Sequence, residues 1–304
     1  MTTAFERAIS IVVLTHNRRA RVLETLAALR ALPDHCPILL VDNGSRDGTA
    51  EAVRAQFPEV HVLRLPENRG AAGRNAGVAA ASTPYIAFCD DDTWWAPSAL
   101  AHACALLDAH PRVAVLCARV LVGAAARLDP TCAAMAHSPT RVEGLPGPVL
   151  LGYLAGACVV RRDAFLAVGG YDERLFLGAE EALVALDLAV RCQWTVYAET
   201  LTVHHHPAPR ADSCARRRRL ARNALWVAWL RRPAGSALRE TWRVLRHSAR
   251  LRDGMGALGE ALGGLHWVLR ERRVIPLHLE RLRREIDRQE AHSARVVRLE
   301  RSAR

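Results

Sequence analysis

The 304-residue sequence predicts an α/β fold: a mostly parallel sheet flanked by helices, with an α-helical extension at its C-terminal end. Three observations carry this. Short β-branched runs alternate with segments of helical apolar spacing, the pattern of a doubly wound sheet. The runs end in polar residues, and such sheets bind ligands beyond the carboxyl ends of their strands. From Asp212 onward the chain reads as helical and arginine-rich.

The elements follow in order. ISIVVLTHN is a buried strand opening into a loop, and RVLETLAALRAL a helix that Pro33 stops. PILLVDNGS repeats the strand-then-polar pattern, TAEAVRAQF is the next helix and VHVLRL a third strand. GAAGRNAGVAAA is a small-residue helix, and YIAF a fourth strand before Asp90, Asp91 and Asp92. VAVLCARVLV is another strand, and the Ala-, Pro- and Gly-rich stretch 123–148 a variable loop region. LAGACVVRRDAFLAVGGYDE gives a strand, a short helix and a glycine turn. EEALVALDLAVRC is a helix, and WTVYAETLTV a strand or a pair of short strands leading into HHHP. No repeat of fixed period is present.

Composition bounds the function classes. Half of the residues are hydrophobic, enough for a sizeable core. No apolar stretch approaches the roughly 20 residues of a spanning helix. The apolar run after Glu6 and Arg7 is short and β-branched, unlike a signal peptide. Eight scattered cysteines with no CxxC pair read as reduced, mostly buried thiols, and point to a cytoplasmic protein. All 42 basic Lys+Arg residues are arginine; 24 of them face 10 acids from Arg210 onward, a net of +14, while the preceding part carries −3. The basic object is therefore the extension, 210–304, and not the body, 1–209.

Three adjacent carboxylates in a cleft need a cation or a proton to offset their repulsion. A hard divalent metal with oxygen ligands is the usual remedy, and Mg²⁺ or Mn²⁺ commonly shares its shell with phosphates. Taken alone, the triplet reads equally as a solvated acidic turn. NRGAAGRNAG supplies a glycine-rich helix start with Arg74 one turn inside, suited to phosphate oxygens or simply to close helix packing. Asp42 either accepts hydrogen bonds from a base or ribose, or is the turn residue of DNGS.

In order along the chain, VVLTHNR, LVDNGSRDGT, ENRGAAGRNAG, FCDDDTWW and GGYDERLFLGAEEALVALDLA resemble the family 2 glycosyltransferases of the GT-A fold. The match runs from about Ile9 to His206. The resemblance implies an inverting enzyme that moves a sugar from a nucleoside-diphosphate sugar to an acceptor hydroxyl. It divides the body into a nucleotide-sugar half, about 1–118, and an acceptor half, about 149–209. By position it gives Asp42 to the donor base. Thr15, His16 and Asn17 fall beside that base, where the family often has a tyrosine. It gives Arg74 to the base and diphosphate, and Asp90 to Asp92 to the DxD motif, with Asp90 towards the ribose and in the metal shell, Asp91 towards the nucleotide and Asp92 as direct metal ligand. The implied cofactor is Mn²⁺ or Mg²⁺.

Glu180 and Glu181 stand where the family has Glu-Asp, and Glu181 aligns with the catalytic base that takes the acceptor proton. On its own, such a pair at a helix start merely complements the dipole. His204, His205 and His206 follow the last core strand, where the fold places a metal-ligating histidine; His204 is the expected one. Trp94 and Trp95 form either a platform for sugar faces or packing under the cleft. The acceptor is a glycan, a lipid-linked glycan or a small molecule. In the extension, the apolar segment from Leu220 to Leu230 lies between Arg216–Arg219 and Arg231–Arg232, and suits either peripheral membrane contact or docking on the body. Two rival readings are a basic adaptor for anionic partners on a degenerate fold, and a nucleotidyltransferase. Nucleic acid is not an expected partner, because the basic residues lie outside the apparent ligand mouth.

Overall fold

Every side chain of strand β1 (Ile9–Thr15) except Leu14 is buried, so this strand belongs at the centre of a sheet covered on both faces. The computed structural model describes residues 8–207, 213–249 and 254–302; Glu6, Arg7 and Arg210 to Asp212 lie outside them. Helix α1 (Arg19–Arg30) follows, and its first free N–H, on Arg19, donates to Asp47 Oδ2 at 3.1 Å. Strand β2 (Ile38–Asp42), α2 (Thr49–Gln56), β3 (His61–Arg64), a 3-10 turn (Gly70–Ala72), α3 (Gly73–Ala80) and β4 (Tyr85–Asp90) complete a parallel half. Helix α3 presses directly on β1: a Cβ on Gly77 would stand 2.5 Å from Val12 Cγ1. Close packing thus accounts for the small residues of this helix.

The second half begins with β5 (Thr93–Trp95), α4 (Ala99–Ala109), β6 (Val113–Val122) and β7 (Arg127–Leu128). Next come α5 (Pro130–Ala136), β8 (Val149–Leu150), β9 (Ala157–Arg161), α6 (Arg162–Ala167), α7 (Glu180–Val190) and β10 (Trp194–His205). The sheet order is β3-β2-β1-β4-β9-β6-β10-β5, with β7 on β6 and β8 on β10. Only β9 and β5 run against the others on this path. The chain returns from the carboxyl end of β6 and re-enters the sheet there, so β9 runs backwards between β4 and β6. The expected loop 123–148 is partly ordered instead. Asp129 caps α5 by accepting from Thr131 N at 2.7 Å, with Pro130 at the first helical position. WTVYAETLTV forms one strand whose register against β6 shifts between Ala198 and Thr202.

The extension adds α8 (Cys214–Arg231), α9 (Ala234–Ala249), α10 (Gly254–Gly263), α11 (Leu265–Arg270) and α12 (Leu277–Ser302). Leu225, Trp226, Val227 and Leu230 of α8 are buried in the common core, each worth about 1.5–3 kcal/mol of transfer free energy. Trp226 donates to Ala261 O at 2.9 Å and meets Trp267 edge to face. The flanking arginines are engaged as well: Arg218 with Glu260, Arg231 with Asp187 of α7, and Arg232 with Glu280. The apolar face that the sequence offered to a membrane is therefore spent on docking. Among the described residues no helix is long and apolar enough to cross a membrane.

Candidate active site

Parallel register puts three strand ends at one level: Thr15 pairs with Asp42, and Leu14 with Asp90. Beyond them opens a cavity of about 570 Å³. Of the expected site residues, Thr15, His16, Arg74, Asp90, Asp91, Glu180 and Glu181 line it. Asn17, Asp42 and Asp92 do not line it: Asp42 and Asp92 are buried, and Asn17 is exposed. Asn17, at φ 52°, accepts from Arg46 N at 2.8 Å and shapes the loop. His16 Nδ1 lies 2.9 Å from Asn43 O, and Asn43 in turn donates to Gly70 O. Asp42 is fully buried; its Oδ1 accepts from Ser45 N at 2.9 Å, while its Oδ2 has no hydrogen-bond partner.

Each aspartate of the triplet has its own partners, which offset part of their mutual repulsion. Asp90 is the most exposed, with its side chain 40% accessible, and pairs with buried Arg74. Asp91 accepts from Thr15 Oγ1 at 3.0 Å and from Arg18 Nη1 at 2.7 Å. Arg18 also reaches Asp92 Oδ2 at 2.9 Å. Burial pushes the Asp91 carboxyl above its usual value in spite of Arg18. Burial acts the same way on Asp92, but His205 and Arg18 outweigh it and hold that carboxyl below its usual value. Arg18, straight after the first strand, was not anticipated; no local pattern marks it as the partner of residues more than 70 positions away.

Strand pairing distinguishes the three histidines. Strand β10 runs antiparallel to β5, with His204 opposite Trp94 and His205 opposite Thr93. Because side chains alternate along a strand, His204 and His206 fall on the Trp94 side, at ring distances of 6.0 and 4.7 Å. It is His205 that lines the cavity and brings Nε2 to 3.5 Å from Asp92 Oδ1. The expected His204 instead stacks on Trp94, and Trp95 is fully buried packing. That Asp92 oxygen is buried without a hydrogen-bond partner. Among the described residues no three His, Cys, Asp or Glu side chains converge as a complete metal site. The donors present, a carboxylate oxygen and the imidazole nitrogen 3.5 Å from it, fit a cation whose remaining ligands come from a phosphate substrate.

Across the cavity stand Glu180 and Glu181, opening α7. Glu180 is 2% accessible and its Oε2 is unpaired. Burial raises the pKa of both, and Glu181, with the Glu180 charge beside it, is pushed up to about 8. The loop before them is strained. Phe176 at φ 61° and Ala179 at φ 70° hold left-handed conformations that cost non-glycine residues about 1–3 kcal/mol each. On one side Phe176 O accepts from Ala71 N at 2.7 Å, so close that a Cβ on Gly70 would lie 1.9 Å from that oxygen. On the other, α8 holds the loop: Asn223, fully buried, donates to Leu175 O, Leu177 O and Gly178 O at 2.7, 3.1 and 2.7 Å. Arg219 covers the Phe176 ring at 4.7 Å. Arg216 of the same helix lines the cavity, so the basic residues are not all outside the ligand mouth.

The model of the family described as Glycosyl transferase family 2 matches residues 10–168, which contain both the strand ends and the aspartate triplet. The chain belongs to this family. As a family 2 glycosyltransferase it is similar to the Mycobacterium tuberculosis N-acetylglucosaminyl-diphospho-decaprenol L-rhamnosyltransferase, at 28% identity over 65% of this chain and 76% of the relative. The pre-mycofactocin glycosyltransferase of the same organism is also 28% identical, over 69% of this chain and 45% of its own length. In fold the glycosyltransferase resembles a mannosyltransferase from Pyrobaculum calidifontis, solved with GDP-Man and Mn²⁺ (TM-score 0.57, 20% identity, 84% of this chain and 75% of that one). It also resembles S. aureus TarS in complex with UDP-GlcNAc (TM-score 0.58, 17% identity, 73% and 65%). These neighbours are GT-A glycosyltransferases, and the mixed sheet with its helical flanks has that fold.

Proposed function

We propose that this glycosyltransferase is a metal-dependent inverting enzyme, which moves a sugar from a nucleoside-diphosphate donor to an acceptor hydroxyl. One observation carries the reading: a carboxylate pair, Glu180 and Glu181, lines the same cavity as the strand-end residues Thr15, Arg74, Asp90 and Asp91. Asp42, whose buried Oδ2 has no hydrogen bond and only Arg64 Nε at 4.0 Å, would take a base N–H reached past His16. Asp90 would face the ribose, and Arg74 the diphosphate. Asp92 and His205 would hold Mn²⁺ or Mg²⁺ through Oδ1 and the imidazole nitrogen that now face each other at 3.5 Å. When bound, such a cation neutralises charge developing on the leaving diphosphate.

Glu181 then takes the acceptor proton as the acceptor oxygen attacks the anomeric carbon from the face opposite the leaving group, which inverts that carbon. Its raised proton affinity suits this role near neutral pH. The catalytic unit is the body, 1–209, and the extension, 210–304, braces its acceptor side through Asn223. Among acceptors we favour a lipid-linked diphosphate sugar, the class named in the mycobacterial relative. A thermal-shift screen of UDP-, dTDP- and GDP-sugars with and without Mn²⁺ tests the donor reading, since ligand linkage raises the melting temperature. One nucleotide sugar should stabilise the protein only with metal and release free nucleoside diphosphate on transfer. Stabilisation by none, or release of pyrophosphate, would contradict the reading.

A further inference from the structure

A second cavity, of about 620 Å³, lies between α7, α8, α9 and α12, on the other side of the turn that carries the glutamates. Ala179 and Ala182 line it, while Glu180 and Glu181 line the donor cavity, so both cavities share the first turn of α7. Its floor is apolar, from Ala182, Leu186, Ala224 and Val227. Its walls carry Arg232, Arg239, Arg243, Arg283, Arg284 and Arg288, against two lining acids, Glu240 and Asp287.

Part of this wall is structural. Arg232 is buried and forks onto Glu280 at 3.1 Å from both nitrogens, and Arg284 reaches the same carboxylate at 2.8 Å. Arg243 pairs with Glu240, and Arg232 and Arg283 reach Asp287 at 2.7 and 2.8 Å, so among the described residues Arg239 and Arg288 are the lining guanidiniums that face no carboxylate. Arg239 and Arg288 are exposed at the cavity's edge. Guanidinium forks match phosphate oxygens in shape and charge. On α9, beside Arg239 and Arg243, Leu238 and Trp242 stand one turn apart and are 50% and 64% exposed. Exposed tryptophan and leucine among arginines suit the boundary between lipid headgroups and acyl chains.

We infer that this cavity binds the diphosphate of a lipid-linked acceptor, with Leu238 and Trp242 against its lipid. The site would hold the acceptor's diphosphate and lipid beside the α7 turn that carries Glu181. The inference rests on the glycosyl-transfer reading and gives the acceptor class favoured there a binding site.

The test is calorimetric titration with farnesyl diphosphate and with inorganic pyrophosphate, in chelator, so that metal-held diphosphate in the donor cavity does not contribute. The wild type should bind farnesyl diphosphate at least about tenfold more tightly than pyrophosphate, a difference the apolar contacts supply. Arg239→Glu with Arg288→Glu should weaken that binding by about tenfold or more. Both changes are at exposed side chains, and the variant should keep the metal-dependent thermal shift with donor. That shift reports on the donor reading alone. No binding by the wild type, equal binding of pyrophosphate, or an unaffected double variant would each overturn the lipid-diphosphate site while leaving the donor reading intact.

Discussion

Asn223, in the middle of the basic extension, donates 2.7 Å hydrogen bonds to Gly178 O and Leu175 O, fixing the loop that delivers the two glutamates. The side chain is fully buried and all three of its acceptors are backbone carbonyls. Asn223→Ala would take the amide donor from Leu177 O and Gly178 O, at a cost of about 1–3 kcal/mol each where no water replaces it, while Leu175 O keeps Leu177 N at 2.7 Å. We expect a lower melting temperature and a lower transfer rate, with donor affinity close to wild type. Equal loss of donor binding would mean that the clamp serves the whole fold rather than the loop. For the same reason, protein ending near Pro209 should be unstable.

Gly70 answers Asn223 from the opposite side of that loop. Its φ is +59°, and a Cβ there would stand 1.9 Å from Phe176 O, which leaves no room for a methyl group. Gly70→Ala should therefore shift the loop and lower transfer more than it lowers melting temperature. An unchanged transfer rate would show that the glutamates do not depend on this contact.

The raised proton affinity of Glu181 predicts a pH dependence with a definite sign. The folded protein holds this proton more tightly than the unfolded chain does. Stability therefore falls as pH rises from the ordinary glutamate range, near 4.5, towards about 8. Glu181→Gln removes the ionisation, so its melting temperature should match the wild type near pH 5 and exceed it above pH 8. For the wild type, kcat/KM should rise along a limb that lies above the ordinary glutamate range and titrates the Glu180–Glu181 pair together. A flat difference in melting temperature across that range would contradict the raised proton affinity of this carboxylate.

Asp92 and His205 make a separable pair. Asp92→Asn should keep the fold and abolish metal-dependent donor stabilisation. His205→Ala should weaken it, and His204→Ala, which removes a ring stacked on Trp94, should not. The comparison is a thermal shift with donor across a Mn²⁺ titration. A larger effect at His204 than at His205 would reverse the assignment.

Much of this was legible in the sequence. A buried strand such as YIAFCD that ends in charge announces a ligand mouth, and β1, β2 and β4 do end at one level. What the sequence did not settle depends on partners far along the chain. Choosing among three adjacent histidines needs the register of β10 on β5. Arg18 reaches its aspartates only after β1 and β4 pair, and the antiparallel entry of β9 has no local signature. Helix α4 is different. Leu100, Ala103, Cys104 and Leu107 recur at helical spacing and are buried, so its signal was present in the sequence and carried no expectation. The docking of α8 was one of two open readings, because an apolar face flanked by arginines looks the same whether protein or lipid covers it.

The central claim is that Glu181 is the base of an inverting transfer, and Glu181→Gln tests it most directly. With saturating donor, acceptor and Mn²⁺, the transfer rate of this variant should fall by about 10²–10⁴, with donor affinity unchanged and Glu180→Gln less affected. A rate near wild type, or a larger loss in Glu180→Gln, would contradict the assignment.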